Sequence, residues 1–187
     1  MKRFEMTELF ALLDIHGPDL LLRSYGQHAF PTLEHALKEV PPSQTLLLDF
    51  AGVSVMDTSF ADETVLELAL GLSQDKYGDR RMILEEPSPA TIDNLEGTIA
   101  RRKAKVALLI RKEDQMRLIG HVEPNLMEAW QLVYEKSELT ARELADQLGL
   151  EINTASMRLR KLYDARLLAR REEITPDGRQ HIYMLPI

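Results

Sequence analysis

Short apolar runs alternate with helix-length periodic segments over the first 122 residues of this 187-residue chain. Residues 45–50 (TLLLDF) are an almost continuous apolar run, which is typical of a strand buried on both faces of a parallel sheet. This alternation restricts the chain to folds in which helices cover a sheet. Further strands are predicted over residues 20–22, 81–85, 105–111 and 115–122, the last two paired as a hairpin.

The segments between these strands carry apolar residues at helical spacing. They predict helices over residues 30–40, 60–72 and 88–103. Strands that alternate with helices indicate an α/β domain with a mixed sheet. The alternation stops near residues 121–125, and a chain of this length holds about one to two domains. We therefore predict two domains, over residues 1–122 and 123–187.

The second region begins with a predicted helix over residues 125–136. Thr140 and Glu143 then have the spacing of a capping box, which begins a second, short helix. Gly149 ends that helix, because glycine tolerates the left-handed backbone of a helix C-terminus. The local signals therefore predict two helices, the second of which ends in a short turn after Gly149.

A third helix is predicted from about Asn153. Its apolar residues Ala155, Leu159 and Leu162 share one face and are expected to pack on the other helices. Two strands follow, over residues 167–171 and 180–185, joined by a turn at residues 175–179 that contains Pro and Asp-Gly.

Three runs in this region resemble the winged helix-turn-helix of bacterial transcription regulators: LTARELADQLGL (139–150), NTASMRLRKL (153–162) and ARLL (165–168). The resemblance covers about residues 124–187 and implies a small α+β domain. Its third helix would enter the major groove of duplex DNA, and its two strands would form a wing. Two positions differ from the usual pattern. Glu151 stands where Ser or Thr commonly caps the recognition helix, and Arg166 stands where glycine is common.

The net charge of −7 by itself disfavours a nucleic-acid partner, but the distribution of charge matters more than its sum. Residues 153–171 hold six basic residues and one acidic residue. Arg179 lies in the turn of the predicted wing, a position suited to phosphates or the minor groove, whereas Glu172, Glu173 and Asp177 would repel phosphates. The predicted DNA-binding residues are Asn153, Thr154, Ser156, Met157, Arg158, Arg160, Lys161, Arg170, Arg171 and Arg179.

Residues 46–63 (LLLDFAGVSVMDTSFADE) resemble the STAS domains of sulphate transporters and anti-sigma-factor antagonists, and more closely the STAS-like domains that carry an SFADE run. The resemblance covers about residues 18–112. In the antagonists, a partner kinase phosphorylates a serine of the matching loop and so controls partner binding. This resemblance implies a sensing or partner loop at Asp57, Thr58 and Ser59, with Ser59 as the candidate phosphoacceptor.

Ser59 also has a purely structural interpretation, because it stands directly before an apolar-periodic helix. As an N-cap it would contribute about 1 kcal/mol. A phosphate there would gain from the helix N-terminus but would be repelled by Asp57, Asp62 and Glu63. These grounds favour the N-cap. The carboxylates of this stretch, together with Asp49, are interpreted as solvated or helix-start groups.

Several kinds of chemistry are not expected from this sequence. The chain has no cysteine, its five histidines lack metal-ligand spacing, and no nucleophile or phosphate-loop motif is present. We therefore expect no enzyme activity, no metal and no cofactor. Glu5 and Glu8 interrupt any apolar leader, and no run of 18 apolar residues follows, so we expect a cytoplasmic protein without a membrane partner.

Two functions from different classes follow from the sequence. The first is a transcription regulator in which a STAS-like domain controls a DNA-binding winged helix. A homodimer is then expected, because paired DNA half-sites match a two-fold protein. The alternative is a protein–protein switch similar to anti-sigma-factor antagonists, with a kinase or anti-sigma-like partner, in which the winged helix contacts protein.

Overall fold

The computed structural model describes residues 1–176 and 178–187, which divide into two units, Met1–His121 and Val122–Ile187. Among the described residues, no helix combines the length and the apolar character needed to cross a bilayer. The first unit is α/β with a mixed sheet, and the second combines three helices with a small antiparallel sheet.

The strands of the first unit are β1 (Lys2–Glu5), β2 (Asp19–Leu20), β3 (Thr45–Asp49), β4 (Val55–Met56), β5 (Arg81–Glu85), β6 (Ala107–Lys112) and β7 (Gln115–Gly120). The main sheet has the order β1-β3-β5-β6-β7. Its first four strands are parallel, and β7 returns antiparallel to β6. The short strands β2 and β4 form a separate parallel pair. The predicted mixed α/β class is confirmed.

The helices of the first unit are α1 (Glu8–Leu13), α2 (Arg23–Lys38), α3 (Thr58–Glu63), α4 (Val65–Ser73) and α5 (Pro89–Arg102). The strand β3 is buried at every residue, as its apolar run predicts. Helix α5 has the predicted bounds to within a residue, because Ser88 caps its first turn by accepting a hydrogen bond from the Thr91 N–H.

Two helices differ from their predicted bounds. The segment predicted as one helix over residues 60–72 is two helices, interrupted at Thr64. The buried Thr64 hydroxyl donates to the Phe60 carbonyl at 2.7 Å, a local bond that competes with helix geometry. Helix α2 begins at Arg23, earlier than predicted, and contains Pro31 inside it. Prolines are most common in the first turn of a helix, so Pro31 indicated a helix start near residue 30, and the turns before it were not predicted.

The second unit consists of α6 (Pro124–Lys136), β8 (Glu138–Thr140), α7 (Ala141–Leu148), α8 (Ile152–Asp164), β9 (Ala169–Thr175) and β10 (Gly178–Met184). Its antiparallel sheet has the order β8-β10-β9. The predicted capping box is present: the Glu143 N–H donates to the Thr140 hydroxyl, and the Thr140 N–H donates to the Glu143 carboxylate. Gly149 adopts the predicted left-handed conformation with φ 62°.

Arg166, three residues before β9, has a backbone conformation that is typical of glycine. Arg166 has φ 65°, a conformation that glycine adopts at no steric cost and that other residues adopt rarely. The departure noted in the sequence therefore concerns the side chain alone, since the backbone is the one that a glycine would have.

Glu34 of α2 provides a pH-dependent contribution to stability. Its carboxylate accepts hydrogen bonds from Lys38 and Lys76 at 2.7 Å and from the Tyr77 hydroxyl at 2.9 Å. The two lysines, Lys38 first, lower the pKa of Glu34 from 4.5 to about 2.

A lowered pKa means that the folded state binds this proton less tightly than the unfolded state does. The stabilisation by Glu34 is therefore fully present above pH 4.5 and is lost as the pH falls towards 2. We expect Glu34→Gln to cost about 1 kcal/mol at pH 7, after allowance for solvent screening, and much less near pH 2. Urea unfolding at both pH values tests this, and an equal loss at both would contradict it.

Candidate nucleic-acid interface and partner loop

Helix α8 has one buried face and one exposed face. The buried face consists of Ala155, Leu159 and Leu162, as predicted. At about 100° per residue, the opposite side of the helix carries Asn153, Met157 and Arg160 and, in the last turn, the acidic Asp164, all of them exposed. We call the first three the exposed stripe: Asn153, Met157 and Arg160.

The other predicted residues of α8 lie around this stripe. Ser156 and Lys161 are exposed beside it, and Thr154 is half-buried. Arg158 points elsewhere: its side chain is only 15% exposed and donates to the Glu128 carboxylate of α6 at 3.0 Å. Arg158 therefore joins α8 to α6, a role that its position in the sequence does not reveal.

The basic residues of this unit are largely matched by acidic neighbours. The matched ion pairs are Arg160–Asp164 (3.7 Å), Lys161–Glu123 (3.6 Å), Arg171–Glu138 (3.1 Å) and Arg179–Glu172 (2.5 Å). All lie on the surface, where an ion pair contributes about 0–1 kcal/mol. Acidic side chains elsewhere in the unit thus neutralise much of the positive charge of residues 153–171. These ion pairs are weak enough for a phosphate to replace the acidic partner.

The remaining predicted residues lie on the hairpin of β9 and β10. The Arg170 guanidinium stacks on the Tyr163 ring, with 4.2 Å to the ring centroid, a cation–π contact. Arg179 is paired across the hairpin with Ile174 in the strand register and is well exposed. Asp177, expected to weaken phosphate binding, lies outside the described residues.

A groove of about 290 Å³ runs between the first turns of α7 and α8 and the strand β10. Its polar lining includes Thr140, Arg142, Asn153, Ser156, Arg179 and His181. It connects one end of the exposed stripe to the hairpin, so a polyanion on the stripe would continue into it.

Arg142 is the groove residue that sequence reasoning missed. It is exposed in the first turn of α7, and no acidic side chain among the described residues pairs with it. The helix dipole disfavours a cation there. A residue that goes against such a local preference often has a functional role. The sequence already shows this, because Arg142 stands inside the capping box that begins α7.

The loop at Asp57, Thr58 and Ser59 begins α3, but its cap is not the predicted one. The Asp57 carboxylate accepts the Phe60 N–H at 2.7 Å and is the N-cap. Ser59 lies inside the helix and is half-buried. The interpretation of Ser59 as N-cap is therefore wrong, because the helix begins two residues earlier than its apolar period indicates.

The acidic residues after this loop are held by arginines. Asp62 is only 4% exposed and forms ion pairs with Arg23 (2.8 Å), Arg102 (3.2 Å) and Arg101 (3.4 Å). Glu63 pairs with Arg23 as well. The expectation of solvated carboxylates is thus wrong for Asp62. Of the charges expected to repel a phosphate on Ser59, arginines compensate those of Asp62 and Glu63, whereas Asp57 accepts hydrogen bonds from backbone N–H groups.

Asp49 also departs from that expectation. It is buried at the end of β3, where it pairs with Arg3 and accepts the Ala51 N–H at 2.9 Å. Among the described residues, no three His, Asp or Glu side chains converge as metal ligands.

The candidate partner loop lies against a strained and exposed residue, Leu22. Leu22 has φ 72° and ψ 136° and is 56% exposed. Its N–H donates to the Asp57 carboxylate at 3.2 Å. A leucine in this region of backbone space costs about 1–3 kcal/mol and persists only where surrounding contacts enforce it. Asp57 thus holds two segments at once, the start of α3 and the connection before α2.

We expect Asp57→Ala to destabilise the first unit by about 2 kcal/mol, because it removes an N-cap and the acceptor of the Leu22 N–H. Asp57→Asn separates the two bonds: its one amide oxygen can still cap α3, but its NH2 group cannot accept the Leu22 N–H, so we expect a loss of about 1 kcal/mol, between the wild type and Asp57→Ala. Urea unfolding of the two variants measures the difference. Equal losses would show that the cap bond from the Phe60 N–H does not stabilise the loop.

No protein-family model, curated protein or solved structure matches this chain. The function is therefore inferred from its own residues.

Proposed function

We propose that the protein is a transcription regulator whose second unit, a winged helix-turn-helix, binds duplex DNA under the control of a STAS-like first unit. The observation that carries this proposal is the exposed stripe. Asn153, Met157 and Arg160 project from the side of α8 opposite its buried face, and all three are free of packing contacts that would bury them. A helix of this kind beside a β-hairpin suits the major groove.

The order of elements supports the same proposal. A helix, a short strand, two helices and a two-stranded hairpin follow one another in the second unit, and the short strand β8 pairs with β10. In a winged helix-turn-helix, this arrangement leaves the third helix and the hairpin on one side of the domain. The groove lined by Arg142 and Arg179 would then receive the DNA backbone.

For the first unit, we propose a STAS-like domain that acts as a sensor or partner module, without catalytic residues, metal or cofactor. Its partner loop is Asp57, Thr58 and Ser59. The exposed Leu22 next to the loop and the arginines that compensate Asp62 are features that a protein partner or a phosphate could use. A homodimer remains the expected assembly for binding paired half-sites.

A second candidate function has one observation in its favour. Four basic residues of the second unit already pair with acidic neighbours. A surface of mixed charge also suits a protein partner, as in a switch similar to anti-sigma-factor antagonists. The two candidates differ in salt dependence, because only DNA releases condensed counterions on binding.

The deciding experiment is a selection of random duplex DNA by the purified full chain, followed by affinity measurements from about 50 to 200 mM salt. For six phosphate contacts, we expect log K to fall with log [salt] with a slope near −5. No enrichment and no binding at low salt would refute the DNA function and favour the protein–protein candidate.

A further inference from the structure

The length of the exposed stripe matches a short run of base pairs. Asn153 and Arg160 are seven residues apart on α8, about 10 Å along the helix axis at 1.5 Å per residue. Base pairs are stacked 3.4 Å apart. The stripe can therefore span at most about three base-pair steps, with one side chain near each end and Met157 between them.

The two polar members of the stripe have different base preferences. The Asn153 amide can donate from its NH2 group to N7 and accept through its C=O from the N6 amino group of the same adenine, the bidentate match of asparagine in the major groove. Arg160 offers a donor fork that matches the O6 and N7 acceptors of guanine. Its side chain is 74% exposed, and the one ion pair that it forms among the described residues, with Asp164 at 3.7 Å, is a weak surface pair.

Met157 lies between them and cannot form a specific hydrogen bond with a base. Its side chain is apolar and 55% exposed. In the major groove, the one apolar group that a base pair presents is the thymine methyl. Burial of that methyl against Met157 would stabilise a complex with thymine over one with any other base at this position.

We infer that α8 selects a short, mixed sequence with adenine at the Asn153 end, guanine at the Arg160 end and a thymine methyl against Met157. This inference rests on the proposed DNA function and names the sites that it would read. A surface that bound only phosphates would not distinguish thymine from uracil or adenine from its 7-deaza analogue, because these changes leave the backbone intact.

The test uses the full chain and the tightest duplex from the random selection. Each thymine is replaced by deoxyuridine, one at a time, which removes only the methyl group. We expect one replacement to weaken wild-type binding about fourfold, the effect of one methyl group. Met157→Ala should bind the parent duplex more weakly and lose its response to that replacement, while Gln131→Ala, exposed on α6, should respond like the wild type.

The same duplex with single 7-deaza-adenine replacements tests Asn153. We expect one position to weaken wild-type binding at least about fivefold and to leave Asn153→Ala unaffected. If the variants respond to every analogue as the wild type does, the base assignments are wrong although DNA binding stands. If the wild type binds no duplex at all, the proposed function itself is wrong.

Discussion

We expect replacement of Arg160 and Lys161 together by alanine to lower the affinity for the proposed DNA site by about 100-fold at moderate salt. Arg160 belongs to the exposed stripe, and Lys161 is exposed beside it. Loss of one bidentate base contact alone accounts for about 5- to 150-fold, and a lost phosphate contact adds to it. The slope of log K against log [salt] should become shallower by about 0.9, if Lys161 supplies one phosphate contact.

The matched control removes the same charge from the other unit. Lys103 and Lys105 are both exposed there, and Lys103→Ala with Lys105→Ala should change the affinity by less than about threefold. An equal loss in the two double variants would mean that only net charge matters. An unchanged affinity of the Arg160 and Lys161 variant would assign DNA binding to another face.

Phe60→Ala should destabilise the first unit by about 3–5 kcal/mol, a large part of the 5–15 kcal/mol typical of a domain. Phe60 is completely buried in α3, and Gly26 of α2 approaches its backbone closely enough that an added Cβ would lie 3.2 Å from the Phe60 carbonyl oxygen. Because these helices are packed so closely, they cannot readily collapse into the space that the ring leaves.

The single tryptophan allows the unfolding of the two units to be measured separately. Trp130 is buried in α6 of the second unit, so tryptophan fluorescence follows that unit, while circular dichroism follows both. We expect the urea midpoint of the first unit to fall by roughly 1–3 M. Ser59→Ala, half-buried next to Phe60, is the control and should stay within about 0.5 kcal/mol of the wild type. A midpoint for Phe60→Ala equal to that of Ser59→Ala would contradict the expected cavity.

Elements with strong local signals could be predicted from the sequence. Thr140, Glu143 and Gly149 define the limits of α7 through hydrogen bonds and a backbone conformation that involve only a few neighbouring residues. The apolar run of β3 likewise predicts that both faces of this strand are buried, whichever strands are its neighbours. The buried face of α8 follows from helical periodicity alone, and the exposed stripe is its geometric complement.

Elements that depend on a distant partner could not be predicted. The strand β1 exists because it pairs with β3 more than 40 residues away, and only Phe4 among its residues is buried. The strand β8 has three residues and is recognisable only through β10. Neither segment carries an apolar pattern long enough to indicate a strand.

The same distinction holds for the candidate sites. The sequence by itself determined which residues of α8 face outwards, because the angle between two residues on a helix depends only on their spacing. Tertiary structure alone decided that Arg158 turns to Glu128, that Asp57 also accepts the Leu22 N–H, and that arginines surround Asp62. These outcomes depend on side chains brought together from distant parts of the chain, and long-range electrostatic and hydrogen-bond partners leave no periodic trace in a sequence.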